Sequence, residues 1–486
     1  MHVPLRRWLA PLLGFCLGAE LASANAVLEW NGLMIDAIRV DNSGPTLSSR
    51  NLAILHTAIF DAVNSVTRTH QPYRFQPATD PVTSTEAAVA TAGHAIVQVL
   101  YPAFAARADD LRDTQLAALP RNRALTNGAT LGRQIAQAML DLRASDGAGT
   151  QVPYIPSAEP GQWRRTQPFF RPPLDPHWRD VTPFCLPELE PFLPPPPPRL
   201  DSPEYADALN EVKTLGALNS SVRTPYEDQT AVFWSDFSYT AMPSGHWHEI
   251  AATIARERHA SLTESARLFA LLGLAQADAV IVCWETKYRY NLWRPITAIQ
   301  RADEDNNPAT EKDAAWDHRL GSPPFPAYPS GHSTLSKAGA QILTAFCGTD
   351  AVTFTTGSDS LPGVFRTFSS LRVCAEEAGM SRIYGGIHFS FDNRGGRIAG
   401  RGVADFVLAN FLLPNSGLPR LASVPVRIGS NPQLRLHGRA GSTLVLESSA
   451  DLHVWTEVGV HPAQPGGTPV TLEAGGGARM FRVRER

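Results

Sequence analysis

Apolar positions recur at helical spacing over most of this chain and change to strand-like alternation near its end. In "SSRNLAILHTAIFDAVNSV", Leu52, Ile54, Leu55, Ile59, Phe60 and Val63 fall near a 3.6-residue period, which predicts an amphipathic helix. "STEAAVATAGHAIVQVLYPAF" repeats the pattern behind a capping serine, Ser84. Residues 27–150 therefore read as helical. Residues 150–203 form a proline-rich crossing, and "LPPPPPRL" at 193–200 reads as an extended surface segment. Helices resume from Pro203 to about Leu413, broken by loops at 302–330 and 348–366. Beyond that the period falls to two, in "LRLHG", "STLVLESS", "HVWTEVG", "TPVTLEA" and "ARMFRVRER". The expected architecture is mainly α: a helical domain over 27–413, then a small antiparallel, sandwich-like β domain over 418–486. The β domain carries no clustered catalytic residues and reads as an accessory module.

The first 26 residues change the picture of where the protein works. Arg6 and Arg7 precede an apolar run from Trp8 to Leu21, and Ala24-Asn25-Ala26 is a small-x-small cleavage site. This is the pattern of a signal peptide, with cleavage expected after Ala26 and the product secreted or periplasmic. The apolar run is short for a membrane span, and no later segment approaches 18 uninterrupted apolar residues, so no span is expected after cleavage. Hydrophobic residues make up 43% of the chain and charged residues 18%, a globular balance. A net charge of −3 argues against a nucleic-acid partner, which calls for a basic face. Export implies an oxidising compartment; Cys185, Cys283, Cys347 and Cys374 allow three pairings, among which Cys347 with Cys374 is the preferred disulfide. Cys283, in the apolar "AVIVCWE", reads as a buried free thiol.

One tetrapeptide occurs twice. Pro-Ser-Gly-His stands at Pro243–His246 and again at Pro329–His332. Only the second copy has chemistry on both sides. Upstream, in "CWETKYRYNLWRPI", Lys287 and Arg294 are seven apart, which on one helix places both cations and Trp284 on one face. "SLTE" at 261–264 supplies a capping box for that helix. Inward-facing cations are costly unless an anion neutralises them. The second Pro-Ser-Gly-His opens a helical run, which puts the Ser330 hydroxyl and the Gly331 amide at a helix N-terminus, an anion-binding position. Downstream, "GMSRIYGGIHFSFDNRGG" adds Arg382, and Asp392 follows His388 by four positions, close enough to orient its ring. The first copy lacks such neighbours and reads as a chance loop or cap opening the helix "HWHEIAATIARERHA".

Lys287-x6-Arg294-Pro295, Pro329-Ser330-Gly331-His332 and Ser381-Arg382-x5-His388-x3-Asp392 together resemble the three-part signature of the superfamily of vanadium-dependent haloperoxidases and type 2 phosphatidic acid phosphatases. The resemblance extends through "SRNLAILHTAIFDAVN" and "FWSDFSYTAMPSGHWHEIA", so it spans most of 27–413. It implies a helical-bundle domain of the haloperoxidase and acid phosphatase type. It implies vanadate as cofactor, bonded through His388 and held by Lys287, Arg294, Arg382, Ser330 and the Gly331 amide. His332 matches the acid–base histidine, and Asp392 orients His388. Trp284 and Phe325 match positions near the halide, and Asp236 is the candidate acidic partner of one anion-binding arginine. The implied activity is oxidation of halide by hydrogen peroxide to hypohalous acid, which halogenates a small organic substrate. The alternative on the same scaffold is an acid phosphatase, in which His388 is phosphorylated and His332 protonates the leaving group. A purely binding or surface-attachment protein is a third reading, against which the intact constellation argues.

Overall fold

The computed structural model describes residues 25–415, 420–424, 431–438, 442–450, 454–464, 467–472 and 480–486. The expected leader through Ala24 lies outside the described residues. The helices are α1 (Ala26–Asp41), α2 (Pro45–Thr67), α3 (Thr85–Leu100), α4 (Ala105–Ala117), α5 (Arg123–Arg143), α6 (Pro203–Leu215), α7 (Pro225–Phe233), α8 (Met242–Glu257), α9 (Leu262–Tyr290), α10 (Pro295–Gln300), α11 (Gly331–Cys347), α12 (Leu371–Tyr384) and α13 (Ser390–Asn410). A short hairpin, β1 (Phe354–Gly357) with β2 (Phe365–Phe368), interrupts them. It occupies much of the segment expected to be loop. Its strands are only four residues long, too short for alternation to stand out from the surrounding turn residues.

Helix α1 starts where the leader was expected to end. Asn25 accepts from the Val27 amide at 3.1 Å, and its side-chain amide donates to Ala260 O at 3.1 Å and Ser265 Oγ at 2.8 Å. A cut after Ala26 would thus fall inside the first turn of α1.

Two buried aspartates tie the core helices to the loops around them. Asp61 on α2 accepts the amides of Tyr73, Arg74 and Phe75 at 2.6–2.9 Å. Asp278 on α9 accepts those of Phe184, Cys185 and Leu186 at 2.6–3.0 Å. Each is followed by Ala-Val, and α2 packs against α9, so one device is used on both partners of the central pair. The capping box at Ser261 and Glu264 forms as expected. Helix α9 is long and apolar enough to cross a membrane by composition, yet it is buried here as a core helix.

The thiols of Cys185, Cys283, Cys347 and Cys374 are all free. The expected Cys347–Cys374 bridge is not formed: Cys347 lies half-buried at the end of α11 and Cys374 is buried in α12. Cys283 is a buried thiol, as its apolar surroundings implied.

The C-terminal strands are β3 (Arg420–Val424), β4 (Gln433–His437), β5 (Thr443–Ser449), β6 (Thr456–Pro462), β7 (Thr468–Thr471) and β8 (Met480–Glu485). They form two antiparallel three-stranded sheets, ordered β3-β4-β7 and β6-β5-β8. Leu436, Leu444 and Leu446 are buried between them. The unit docks on the C-terminal end of α13, where Gln71 donates to Gly438 O at 3.1 Å and His437 meets Asn410 at 3.3 Å. Asp392 sits at the other end of α13, roughly 27 Å away at 1.5 Å per residue.

Between α2 and α8 the core holds two fully buried histidines. His56 and His248 stack with ring centroids 5.4 Å apart. His56 bonds Asn31 Oδ1 at 3.0 Å, and His248 Nδ1 donates to Ser244 O at 2.9 Å. Burial pushes His248 down to about 4 and His56 well below its usual value. The folded state therefore binds fewer protons than the unfolded chain. This contribution to stability is complete above about pH 6.5 and is lost as pH falls toward 4, at up to about 1.4 kcal/mol per pH unit for each ring. Urea unfolding at pH 7.5 and pH 5 should show that loss, and His248→Gln should lose less. Equal losses would mean that other groups carry the pH dependence.

Candidate active site

Arg294 reaches the site through a turn rather than along a helix face. Helix α9 stops at Tyr290, and Asn291 takes the left-handed conformation (φ 50°) that ends it. The chain then turns, and Arg294 becomes the extended residue before α10. The expectation that Lys287 and Arg294 share one helix is therefore corrected, although the two do converge. The proline-rich crossing pins the turn. Trp163 N donates to Asn291 O at 2.6 Å, Trp293 N donates to Gly161 O at 2.8 Å, and Leu174 N donates to Pro324 O at 2.9 Å.

The second Pro-Ser-Gly-His adopts its expected place. Ser330 caps α11, accepting the Ser333 amide at 3.3 Å, which leaves its hydroxyl hydrogen free to donate. Gly331 begins α11, and its amide has no partner within the helix. A Cβ at 331 would find only Trp284, 3.9 Å away, so glycine keeps open space before that amide. Helix α13 closes on this segment through Gly396, where a Cβ would lie 2.6 Å from Ser330 O. Ser330 N donates to Asp392 O at 3.0 Å.

His388 precedes α13, and Asp392 lies in its first turn. His388 Nδ1 donates to Asp392 Oδ2 at 2.7 Å, and the same oxygen accepts the Phe389 amide at 3.1 Å. That fixes the tautomer, so Nε2 carries the lone pair. Arg294 Nη1 faces Nε2 at 3.1 Å. Burial, then Arg294, Lys287, Arg382 and His332 in turn, push His388 well below its usual value, so the ring is neutral.

The three cations are fully buried and differ in their remaining capacity. Lys287 Nζ donates to the carbonyls of Pro326, Ala327 and Pro329 at 2.9, 3.0 and 2.5 Å. All three of its protons are engaged, so it contributes charge rather than a free donor. Arg294 donates to Phe325 O and Ile387 O at 2.8 Å each, and its Nη2 has no partner. Arg382 Nη1 donates to Trp234 O at 2.6 Å, while its Nε and Nη2 have none. Burial lowers Arg294 to about 9 and Arg382 to about 10, with Asp392 and Asp236 respectively opposing the shift. His332 is mostly buried, and Asp236 stands 3.8 Å from its Nε2. Burial and then Arg382 hold His332 neutral.

Trp284 and Phe325 form an apolar wall beside these cations, with ring centroids 5.1 Å apart. Lys287 Nζ and the Arg294 guanidinium lie 5.0 and 4.8 Å from the Phe325 centroid. Unpartnered guanidinium donors, a capping hydroxyl, a helix N-terminus and a neutral imidazole thus face one another. This donor set fits a tetrahedral oxyanion such as vanadate or phosphate.

Residues 267–413 match the family described as the VCPO second helical-bundle domain. The vanadium chloroperoxidase of Curvularia inaequalis is 25% identical over 493 aligned positions, covering 77% of this chain and 80% of that one. A bacterial vanadium-dependent iodoperoxidase structure superposes with a TM-score of 0.69 at 28% identity, covering 79% of this chain and 95% of that one. A bacterial vanadium-dependent chloroperoxidase shares the fold, with a TM-score of 0.60 at 17% identity over 75% of this chain and 92% of that one. Residues 267–413 thus match the second helical-bundle domain of this family, and most of the chain is similar to vanadium haloperoxidases.

The haloperoxidase fold brings together every residue of the three-part signature. It also places residues that the signature does not contain. Trp234 offers the carbonyl that anchors Arg382, and His246 contacts Asp236. The repeated tetrapeptide was the signal for His246. The first copy lacks the flanking cations of the second, so its neighbours in sequence do not show that His246 meets Asp236 in space.

Removing His388 as alanine should abolish detectable binding of vanadate, measured by calorimetry on the purified protein. Asp392→Asn leaves the ring present but poorly oriented and should weaken binding about 10–100-fold. Arg382→Ala removes two unpartnered nitrogens together with the bond to Trp234 O, and should cost a similar factor. If Asp392→Asn proved as damaging as His388→Ala, the roles of ligand and orienting group would be exchanged.

Proposed function

We propose that the protein is a vanadate-dependent haloperoxidase, oxidising halide with hydrogen peroxide and halogenating small organic compounds. The observation that carries this reading is the set of unpartnered, fully buried guanidinium nitrogens on Arg294 and Arg382, together with the neutral His388 that Arg294 Nη1 faces at 3.1 Å. The relatives named above, peroxidases with chloride or iodide in their names, support it over the phosphatase alternative.

Vanadate bound in this donor set would supply a Lewis-acidic centre that activates peroxide toward halide. His388 would present its Nε2 lone pair to that centre, with Asp392 holding the ring in register. Arg294 and Arg382 would donate to the bound oxyanion, with Ser330 and the Gly331 amide beside them. Lys287, saturated by carbonyls, would add positive potential. His332, held neutral, would serve as the proton acceptor. Trp284 and Phe325 would keep the halide side apolar.

The N-terminal pattern supports export, and the bonds made by Asn25 favour cleavage after Ala24 over cleavage after Ala26. N-terminal sequencing of the exported protein should begin at Asn25. Retention of residues 1–24 would overturn the export reading.

The purified protein should halogenate an activated organic acceptor only when vanadate, peroxide and halide are all present. Excess phosphate should suppress reconstitution, because both anions need the same donors. A parallel assay with an aryl phosphate and no vanadate decides the alternative. Efficient phosphate release without any halogenation would establish the phosphatase.

A further inference from the structure

The two Pro-Ser-Gly-His segments converge on a single carboxylate. The second places His332 Nε2 3.8 Å from Asp236 Oδ2. The first, at the start of α8, buries His246, whose Nδ1 lies 3.2 and 3.4 Å from the two oxygens of Asp236. The other ring nitrogen, Nε2, meets Thr356 Oγ1 of β1 at 3.1 Å, and the ring stacks on Trp234 at 4.6 Å.

Asp236 needs such support. Its backbone is in the left-handed region (φ 42°), which costs a non-glycine residue on the order of 1 kcal/mol or more. Behind it lies a cavity of about 380 Å³, bordered by Asp236 and His246 but by none of Lys287, Arg294, Ser330, His332, Arg382 or His388. Without His246 the carboxylate has room to relax away from the anion site and become hydrated. The same loop carries the Trp234 carbonyl that anchors Arg382, and Asp236 supplies the counter-charge to Arg382. His246 therefore grips the loop twice, by stacking on Trp234 and by bonding to Asp236.

We infer that His246 is a positioning residue for the anion site: it fixes Asp236 and the Trp234 carbonyl so that Arg382 and His332 face the bound oxyanion. This extends the haloperoxidase reading by one residue and rests on it. The donor from His246 must sit at Nδ1, the nitrogen next to the ring attachment. Asparagine places its amide N–H near that point, glutamine places it near Nε2, and phenylalanine keeps the stack without any donor.

The test is phosphate affinity by calorimetry on the protein without vanadate, with thermal unfolding of each variant alongside. Wild type should bind phosphate. His246→Phe and His246→Gln should bind about 10-fold more weakly, and His246→Asn should stay within about threefold of wild type. His246→Phe added to Asp236→Asn should cost nothing beyond Asp236→Asn alone, because both remove one interaction. A general loss of packing would instead lower the unfolding midpoint of every variant, show no rescue by asparagine and add to Asp236→Asn, and that pattern would overturn the inference. Wild-type affinity in a folded His246→Phe or His246→Gln would overturn it too. Failure of wild type to bind phosphate would instead count against the anion site itself. Should His246→Phe fail to fold, the asparagine and glutamine pair decides.

Discussion

Two guanidinium groups are buried with N–H groups that no protein atom accepts, and much of the structure serves to keep them so. An uncompensated buried charge costs several kcal/mol even after relaxation. Arg294 and Arg382 are each held by backbone carbonyls at one edge and left bare at the other. The carbonyls fix direction, and the bare edges define where an anion must sit. On the proposed reading an anion bound there would offset the cost by accepting those hydrogen bonds.

Holding that arrangement falls to irregular backbone rather than to helices. The carbonyls that engage Lys287 and Arg294 come from 325–329 and 387, and the one that engages Arg382 comes from the loop at 234. Loops are normally the softest part of a protein. Here Asp392 ties one of them by linking His388 to the start of α13, while Asp61 and Asp278 clamp neighbouring loops at 73–75 and 184–186. The helices supply mass and a fixed frame, and the loops supply the directed dipoles.

The β unit sits outside this scheme. It covers the far end of α13 and buries a small leucine core of its own. Among its described residues, none belongs to the candidate anion site.

What the sequence determined by itself was the class of fold and a set of candidate residues. Helical periodicity marked α2 and α3, a capping box marked α9, alternation marked the strands beyond 418, and the three-part signature picked out the candidate anion-binding residues. These signals are local, because period, cap and motif spacing depend on neighbours in the chain. The tertiary structure decided how the residues meet. Lys287 and Arg294 converge around a turn at Asn291 rather than along one helix, and Lys287 is saturated by three carbonyls that no motif contains. Cys347 and Cys374 are left as free thiols, one at the end of α11 and one buried in α12. His246 joins the site because α8 packs against α11 and β1, a contact between segments some 85 to 110 positions apart. Such contacts are set by the packing of whole helices, and spacing along the chain carries no record of it.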